Sequence, residues 1–395
     1  MLQRIKEKAV SLKDQVIEWR HYLHQRPEVA WKEEETTRFL AGILEEMGYE
    51  NISVGYGGGK TGLTAELNNE KDGKRIALRA DIDALPIVEE AEVDYRSCNE
   101  GTMHACGHDS HMAMLLGAAR LISEMKDDFP GKIRLIFQPA EENPRRPGAR
   151  EMVKEGVLEG VDGIFGIHIW SPVESGHLGY TLGPIMASAD SFFLEIKGKG
   201  GHGAMPHLAV DPTVAASQII NTLHTIVSRE VNPLKAAVIS TGEVKAGSAF
   251  NIIPDTLSMS GTVRTFDPEI RSYLASRIED VVRGTCRVLR CEADFEFNFN
   301  LPSTINNRAF ADMASRVGIE LMGQDKVQEI DPTMGAEDFS FYLNEIPGAF
   351  FFLGTGDPEK STDFPHHHPK FKVDDDVLSD GVALLAGVAW QFLNQ

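Results

Sequence analysis

A nine-residue stretch, 103–111, has the sequence MHACGHDSH and holds three histidines, one cysteine and one aspartate. A cysteine and a histidine two positions apart are metal-ligand types, whereas a lone buried cysteine is more often an inert core thiol. A catalytic cysteine–histidine pair is a third interpretation of Cys106 and His108. The remainder of the chain must therefore decide between a metal site, a nucleophilic thiol and a crowded helix start.

Further metal-capable side chains follow apolar, strand-like runs in distant parts of the chain. They are Asp81 and Asp83 after RIALRA, Glu141 and Glu142 after IRLIFQP, His168 after GIFGI, and His366, His367 and His368 in the loop DFPHHHPKF. In open α/β sheets, ligands bind beyond the carboxyl ends of the strands. We therefore expect five segments, including the one with Cys106, to meet at one edge of one sheet.

Thiolate, imidazole and carboxylate groups together suit zinc, manganese or cobalt at a hydrolytic site. A thiolate can bridge two such ions, and water on a metal is acidic enough to attack a carbonyl near neutral pH. The consecutive Glu141 and Glu142 allow one carboxylate to bind metal and the other to act as base. Asp83 is as consistent with a turn cap as with a group that orients a ligand or the base by hydrogen bonding. His104 and His111 are expected to be hydrogen-bonded structural residues.

Helix and strand patterns alternate in the first half of the chain. Helices are predicted over 3–25 and 33–47, in HDSHMAMLLGAARLISEM and in GAREMVKEGVL, and strands in TGLTAEL, KRIALRAD, GKIRLIFQPAEE and DGIFGIHIW. This alternation predicts an α/β fold with a mainly parallel sheet flanked by helices. The run VGYGGGKTG is predicted to be a loop and not a phosphate-binding loop, since Val54 stands where the motif requires glycine.

From about Ser188 the pattern changes to strand, helix, two strands, helix and strand, which is the order of a ferredoxin-like α+β domain. Helix and buried strand then return after residue 300. We therefore predict a discontinuous catalytic domain of residues 1–187 and 301–395, interrupted by an inserted domain of residues 188–300.

The composition limits the classes of partner. Fifty-nine acidic against 39 basic side chains give a net charge of −20, which disfavours nucleic acid and anionic membrane as partners. The N-terminal segment predicts an amphipathic helix and neither a signal peptide nor a membrane anchor. Four cysteines without a regular spacing indicate a reducing, cytoplasmic compartment.

Seven motifs occur in an order that resembles a known family. They are HACGHDSHMAMLLGAA, FQPAEE, GIHIW, GKGGHGAMPH, NIIPDTLSMSGTVRTF, MGAEDFSFYL and HHPKF. Together they resemble the dinuclear amidohydrolases that include hippurate hydrolase, bacterial aminoacylase-type enzymes, acetyldiaminopimelate deacetylase, related carboxypeptidases and plant auxin-conjugate hydrolases. The resemblance implies a zinc-peptidase-like catalytic domain with a ferredoxin-like lid, which also forms a homodimer or higher homo-oligomer.

The resemblance also implies roles for individual residues. Two divalent ions per subunit, of zinc, manganese, cobalt or nickel, are expected on Cys106, His108, Glu142, His168 and His367, with Cys106 bridging. The family's general base falls on Glu141, and the group that polarises the scissile carbonyl falls on His202, which in dimeric relatives reaches the partner's site. Asn251 and Arg264 are expected to bind substrate, with Arg264 clamping a free carboxylate.

Two functions are carried forward from these residues. The first is metal-dependent hydrolysis of the amide bond in N-acyl amino acids or short peptides with a free carboxylate. The alternative is a non-catalytic metal- or peptide-binding protein on the same scaffold. The last ligand also stays open among His366, His367 and His368, with His367 preferred because it lies two positions before Pro369.

Overall fold

The computed structural model describes residues 1–395. The α-helices are α1 (Leu2–Ser11), α2 (Lys13–His24), α3 (Glu34–Glu46), α4 (His108–Glu124), α5 (Gly148–Lys154), α6 (Pro212–Thr225), α7 (Pro268–Val288), α8 (Arg308–Met322), α9 (Ser340–Glu345) and α10 (Leu378–Leu393). The strands are β1 (Glu50–Val54), β2 (Leu63–Leu67), β3 (Arg75–Asp81), β4 (Lys132–Gln138), β5 (Gly163–Glu174), β6 (Leu178–Tyr180), β7 (Pro184–Met186), β8 (Ala189–Lys197), β9 (Gly201–His202), β10 (Ala237–Ala246), β11 (Ile252–Ile253), β12 (Thr256–Thr265), β13 (Glu292–Leu301), β14 (Thr304–Ile305), β15 (Val327–Glu329) and β16 (Gly348–Gly356).

The chain divides into two compact units. The larger contains Met1–Ile185, Ile305–Asp331 and Asp338–Gln395, and the smaller contains Met186–Thr304 and Pro332–Glu337. The predicted boundaries place 332–337 in the larger domain. This short segment belongs to the smaller unit because Ala187 N donates to Thr333 O at 3.1 Å and to Gly335 O at 2.8 Å.

The larger unit is built on an eight-stranded sheet with the order β1-β2-β4-β3-β5-β16-β6-β15. Its centre is parallel, since β3 pairs in parallel with β4 and β5, and β5 with β16. The β1–β2, β2–β4 and β16–β6 pairs are antiparallel. Helices flank this mainly parallel sheet, as the alternation of apolar strands and helices predicted.

Helices α4 and α10 pack against each other and are buried on nearly all sides. The span Asp375–Leu393, which contains α10, is long and apolar enough to cross a membrane, but 72% of that window is buried inside the unit. A helix that is hydrophobic all round is typical of a protein core. The position of α4 matters for the site, because its first residue is His108.

The smaller unit has the chain order β8-α6-β10-β12-α7-β13 and an antiparallel sheet with the order β10-β12-β8-β13. Both helices begin in the same way. Asp211 accepts a hydrogen bond from Thr213 N before α6, Asp267 accepts from Glu269 N before α7, and each helix has proline at its first turn. The predicted ferredoxin-like fold of the inserted lid is confirmed.

One predicted helix was wrong, and a strand of the main sheet was missed. The helix predicted over 3–25 is interrupted at Leu12, whose N–H bonds to Ala9 O, so that α1 and α2 are separate. Strand β1 was missed because it is a short edge strand with four of its five residues exposed, and its only apolar side chains are Ile52 and Val54.

Candidate metal centre

The core of the candidate centre lies where β3 ends and α4 begins. Asp81 is the last residue of β3, and Cys106 lies in the loop that enters α4 at His108. Gly107, between Cys106 and His108, has a φ of +87°, a left-handed conformation that glycine adopts without strain. This turn brings the Cys106 sulfur and the His108 ring into one group with His168, with ligand atoms all within 4.8 Å of one another.

Backbone carbonyls orient two of these imidazoles in the same way. His108 Nδ1 donates to Asp83 O at 2.8 Å, and His168 Nδ1 donates to Ile169 O at 2.5 Å. In the neutral rings the lone pair is therefore on Nε2. His168 Nε2 lies 3.6 Å from Cys106 Sγ, and His108 Nε2 is buried without a hydrogen-bond partner. Metal-binding histidines usually have this arrangement, in which one ring N–H donates to a carbonyl and the other nitrogen is left for the ion.

The two glutamates follow β4 and are held by one carboxylate. Asp83 Oδ1 accepts from Glu141 N at 3.1 Å and Asp83 Oδ2 accepts from Glu142 N at 3.0 Å. Through its backbone carbonyl the same residue also holds the ring of His108. Asp83 therefore fixes the backbone of both glutamates and orients one imidazole.

His367 comes to the same place from the loop after β16. Its backbone is left-handed, with a φ of +67°, and its N–H donates to Ala105 O at 2.8 Å. Its Nε2 lies 2.9 Å from Glu142 Oε1, and Cys106, Glu142 and His367 form a second group with ligand atoms within 4.8 Å. The groups Cys106–His108–His168 and Cys106–Glu142–His367 share only the thiol, so the donor set fits two divalent ions on either side of one sulfur.

His168 differs from the prediction in one detail. It was expected at a strand end, but β5 continues past it to Glu174. It still lies at the edge of the central sheet, because the pairing of β5 with β3 stops at Gly166 while the pairing with β16 continues.

The electrostatic field of this cluster favours a cation. Burial, and then the carboxylates of Glu142 and Glu141, raise the pKa of the Cys106 thiol well above its ordinary value. Burial acts to lower the pKa of His108, but Asp81 and Asp83 outweigh it and raise that pKa to about 10. A metal ion reverses the first effect, because coordination deprotonates a thiol.

A buried ion-pair framework beneath the cluster was missed by sequence reasoning. Arg79 Nη1 lies 2.8 Å from Asp81 Oδ2, and Arg79 Nη2 lies 3.0 Å from Asp338 Oδ1. His111 Nδ1 donates to Asp81 Oδ1 at 2.6 Å, and its Nε2 accepts from Ile169 N at 2.9 Å. This confirms His111 as a hydrogen-bonded structural residue. The missed signal was a charged arginine inside the apolar strand RIALRAD, since such a residue is almost never buried unpaired.

A second buried network surrounds Asp109, the residue after His108. Its Oδ2 accepts from Arg20 Nε at 2.9 Å and from His24 Nδ1 at 2.8 Å, and His24 Nε2 lies 3.0 Å from Glu89 Oε1. The expectation for His104 was wrong, because both of its ring nitrogens are buried without a hydrogen-bond partner. Burial lowers the pKa of His104 to about 3, and this keeps the ring neutral.

The other three candidate residues belong to the smaller unit. His202 is exposed on β9, and its Nδ1 accepts from Ala204 N at 3.1 Å, so its Nε2 carries the proton in the neutral ring. Asn251 is exposed directly before β11, which pairs with β9, so it lies beside His202. Arg264 lies on β12, half-buried, with Thr262 Oγ1 at 3.3 Å from its Nε and no ion pair.

The chain matches known proteins over its whole length. Residues 77–391 match the model of peptidase family M20/M25/M40. The chain is 40% identical to thermostable carboxypeptidase 2 of Saccharolobus solfataricus, with all of both chains covered. It is 42% identical to N-acetyl-L-cysteine deacetylase of Bacillus subtilis, over 93% of this chain and 86% of that protein.

A solved structure agrees with the architecture. A dinuclear metal-binding peptidase of family M20 from Bacillus subtilis superimposes with a TM-score of 0.85 at 36% identity, with 98% of this chain and 99% of that chain covered. The family resemblance, the fold and the dinuclear metal cofactor expected from the sequence are thereby confirmed, and nothing favours the non-catalytic alternative. The chain belongs to peptidase family M20/M25/M40 and is a metal-dependent amidohydrolase.

Proposed function

We propose that this enzyme hydrolyses the amide bond of N-acyl amino acids or of short peptides with a free carboxylate. One observation carries the proposal: two groups of three ligand-type side chains share the sulfur of Cys106, the first group buried and the second open to solvent at His367. The names of its relatives support the substrate class, because they include a carboxypeptidase and an N-acetylcysteine deacetylase.

Cys106, His108, Glu142, His168 and His367 are the proposed ligands. The ions they hold supply Lewis acidity to the scissile carbonyl and lower the pKa of the attacking water. His367 is preferred over its neighbours for the last position, since its Nε2 lies 2.9 Å from Glu142 Oε1. His368 has its Nδ1 occupied by Lys370 N at 3.0 Å.

Glu141 is the proposed general base. Its carboxyl oxygen lies within 4.8 Å of the ligand atoms of His108 and Glu142, and its backbone is fixed by Asp83. A carboxylate placed in this way takes the proton of the attacking water and then delivers a proton to the departing amine nitrogen.

His202 is proposed to stabilise the oxyanion of the tetrahedral intermediate. Its Nδ1 is already satisfied by Ala204 N, which leaves an Nε2–H donor exposed to solvent. Arg264 is proposed to bind the free carboxylate of the substrate, since its guanidinium has no carboxylate partner of its own. Asn251, beside His202, is proposed to contribute a further polar contact.

The smaller unit is also the proposed site of homo-oligomer formation. Its exposed apolar side chains, among them Leu234, Val244, Phe250 and Ile252, support a contact with a second copy. All four cysteines are free thiols, which supports a reducing compartment such as the cytoplasm. Light scattering of the purified protein tests the proposed homo-oligomer, since a monomer at micromolar concentration contradicts it.

The experiment that tests the function uses hippurate and a panel of N-acetyl amino acids as substrates. The protein is assayed as purified, after complete chelation, and after return of zinc, manganese, cobalt or nickel. We expect activity to be lost with the metal and restored with at least one ion, and to be weaker on the methyl esters of the same substrates. Hydrolysis that survives full metal removal contradicts the proposal.

A further inference from the structure

The histidine before the proposed ligand His367 is not needed in either group of ligand-type residues, yet it is largely enclosed beside the same sulfur. His366 Nδ1 lies 3.9 Å from Cys106 Sγ. Its ring stacks on Trp170, with centroids 4.7 Å apart and an interplanar angle of 26°, and its centroid lies 4.8 Å from that of Phe371 at an angle of 38°. Two aromatic neighbours therefore hold the ring in one orientation.

The backbone decides which ring nitrogen of His366 carries the proton. Ser171 N donates to His366 Nε2 at 3.3 Å. A backbone amide can only donate, so Nε2 must present its lone pair, and the single proton of the neutral ring is on Nδ1. That N–H is the one that faces the sulfur.

His168 presents a lone pair, and not an N–H group, to the same sulfur atom. Its Nδ1 donates to a backbone carbonyl, so its Nε2 presents a lone pair at 3.6 Å from Cys106 Sγ. A lone pair and a thiolate meet through a cation, whereas an N–H and a thiolate meet through a hydrogen bond. The two imidazoles beside Cys106 are therefore suited to different tasks.

We propose that His366 is a positioning residue that donates an Nδ1–H···S hydrogen bond to the bridging thiolate of Cys106. The proposal rests on the proposed function, because it requires Cys106 to be a metal ligand. The hydrogen bond would lower the energy of the sulfur lone pairs, hold the thiolate in one orientation, and partly offset its repulsion from Glu141 and Glu142. Groups that bond to a ligand in this way tune metal affinity by about 10-fold to 100-fold.

The test uses the full-length protein reconstituted with cobalt(II), whose thiolate-to-cobalt charge-transfer band reports the sulfur directly. His366→Phe keeps an aromatic ring beside Trp170 and Phe371 but removes the N–H. His366→Asn returns a short amide donor. The matched control is His368→Leu, whose ring stacks on Phe364 and accepts from Lys370 N.

We expect the band of His366→Phe to move to longer wavelength, because a thiolate without its hydrogen bond transfers charge more easily. Cobalt affinity should fall by about 10-fold to 100-fold. His366→Asn should return the band towards its original position, and His368→Leu should leave it unchanged. A band at the original wavelength in cobalt-loaded His366→Phe overturns the inference.

Two further outcomes are also decisive. If His366→Phe loses cobalt altogether, restored binding with the original band in His366→Asn supports the inference, and continued loss overturns it. If the unaltered protein binds cobalt without any thiolate band, Cys106 is not a ligand and the proposed metal centre fails first. The two failures are thus distinguishable.

Discussion

The histidines of the two units are held in very different ways. In the larger unit His108 and His168 are buried, and each spends Nδ1 on a backbone carbonyl, at 2.8 and 2.5 Å. In the smaller unit His202 is exposed and accepts a bond only from its own turn, at Ala204 N. In the neutral rings the first arrangement directs the Nε2 lone pairs into the cluster, while the second leaves an Nε2–H donor at the surface.

The arginines differ in the same sense. Arg79 in the larger unit is buried between Asp81 and Asp338, whereas Arg264 in the smaller unit is half-buried without an ion pair. Burial acts to lower the pKa of Arg264, although Asp190 opposes this. The larger unit therefore carries preorganised charge, whereas the smaller unit carries polar groups without ion pairs, which are the proposed contacts to substrate. Four substitutions test this difference.

The largest effect is expected for Glu141→Gln. The amide cannot accept the proton of the attacking water, so kcat should fall by about 100-fold to 10,000-fold. Metal content, measured by atomic emission, should stay at the level of the unaltered protein because Glu142 is intact. A variant that keeps its metal and more than a tenth of its rate would show that another group is the base.

Arg79→Met should be the most damaging change to stability. It leaves the buried carboxylates of Asp81 and Asp338 without their cation, which costs about 3–5 kcal/mol of unfolding free energy. All four tryptophans lie in the larger unit, so urea unfolding followed by tryptophan fluorescence reports that unit. Arg264→Met is the control, and its fluorescence midpoint should stay where it is. Equal midpoints for both variants would remove the distinction between the two arginines.

His202→Ala should lower kcat by about 100-fold to 1,000-fold, the range for loss of one oxyanion donor. The proposed ligands are untouched, so metal stoichiometry and the unfolding midpoint of the larger unit should not change. His207→Ala, another exposed histidine of the smaller unit, should behave like the unaltered enzyme. A loss of metal in His202→Ala would contradict the division between the units.

Asp83→Asn should weaken metal binding by about 10-fold to 100-fold. One carboxylate oxygen that accepts from Glu141 N or Glu142 N is replaced by a donor, so one of these two hydrogen bonds is lost. Competition with a chromogenic chelator measures the affinity. Asp72→Asn, in an exposed loop, is the matched control and should bind metal normally.

Much of the architecture could be predicted from local patterns. Apolar strands such as RIALRAD and GKIRLIFQ predict a buried sheet because burial on both faces requires continuous apolar runs. The order of strands and helices after Ser188 predicted the ferredoxin-like fold, because that order is characteristic of the fold. The exposed edge strand β1 was missed because it is short and has no continuous apolar run.

The candidate site could be predicted only as a set of residue types at strand ends. The pairing of individual side-chain atoms could not be predicted from the sequence, because it depends on contacts between distant segments, such as that of Arg79 with Asp338. His366 is the clearest case. Its difference from His367 arises from a backbone amide in β5 and an aromatic stack, neither of which leaves a local signature. The roles of the ligands and of Glu141 stay predictions.

The backbone bond between His367 and Ala105 has a consequence for the life of the enzyme in the cell. It links the loop that carries the proposed ligand His367 to the loop that carries Cys106, and main-chain atoms make this link whether or not an ion is present. Many small zinc domains unfold when the metal is removed, because metal binding supplies their folding free energy. Here the metal-free protein should keep the two loops together, so that one divalent cation can replace another without refolding of the chain.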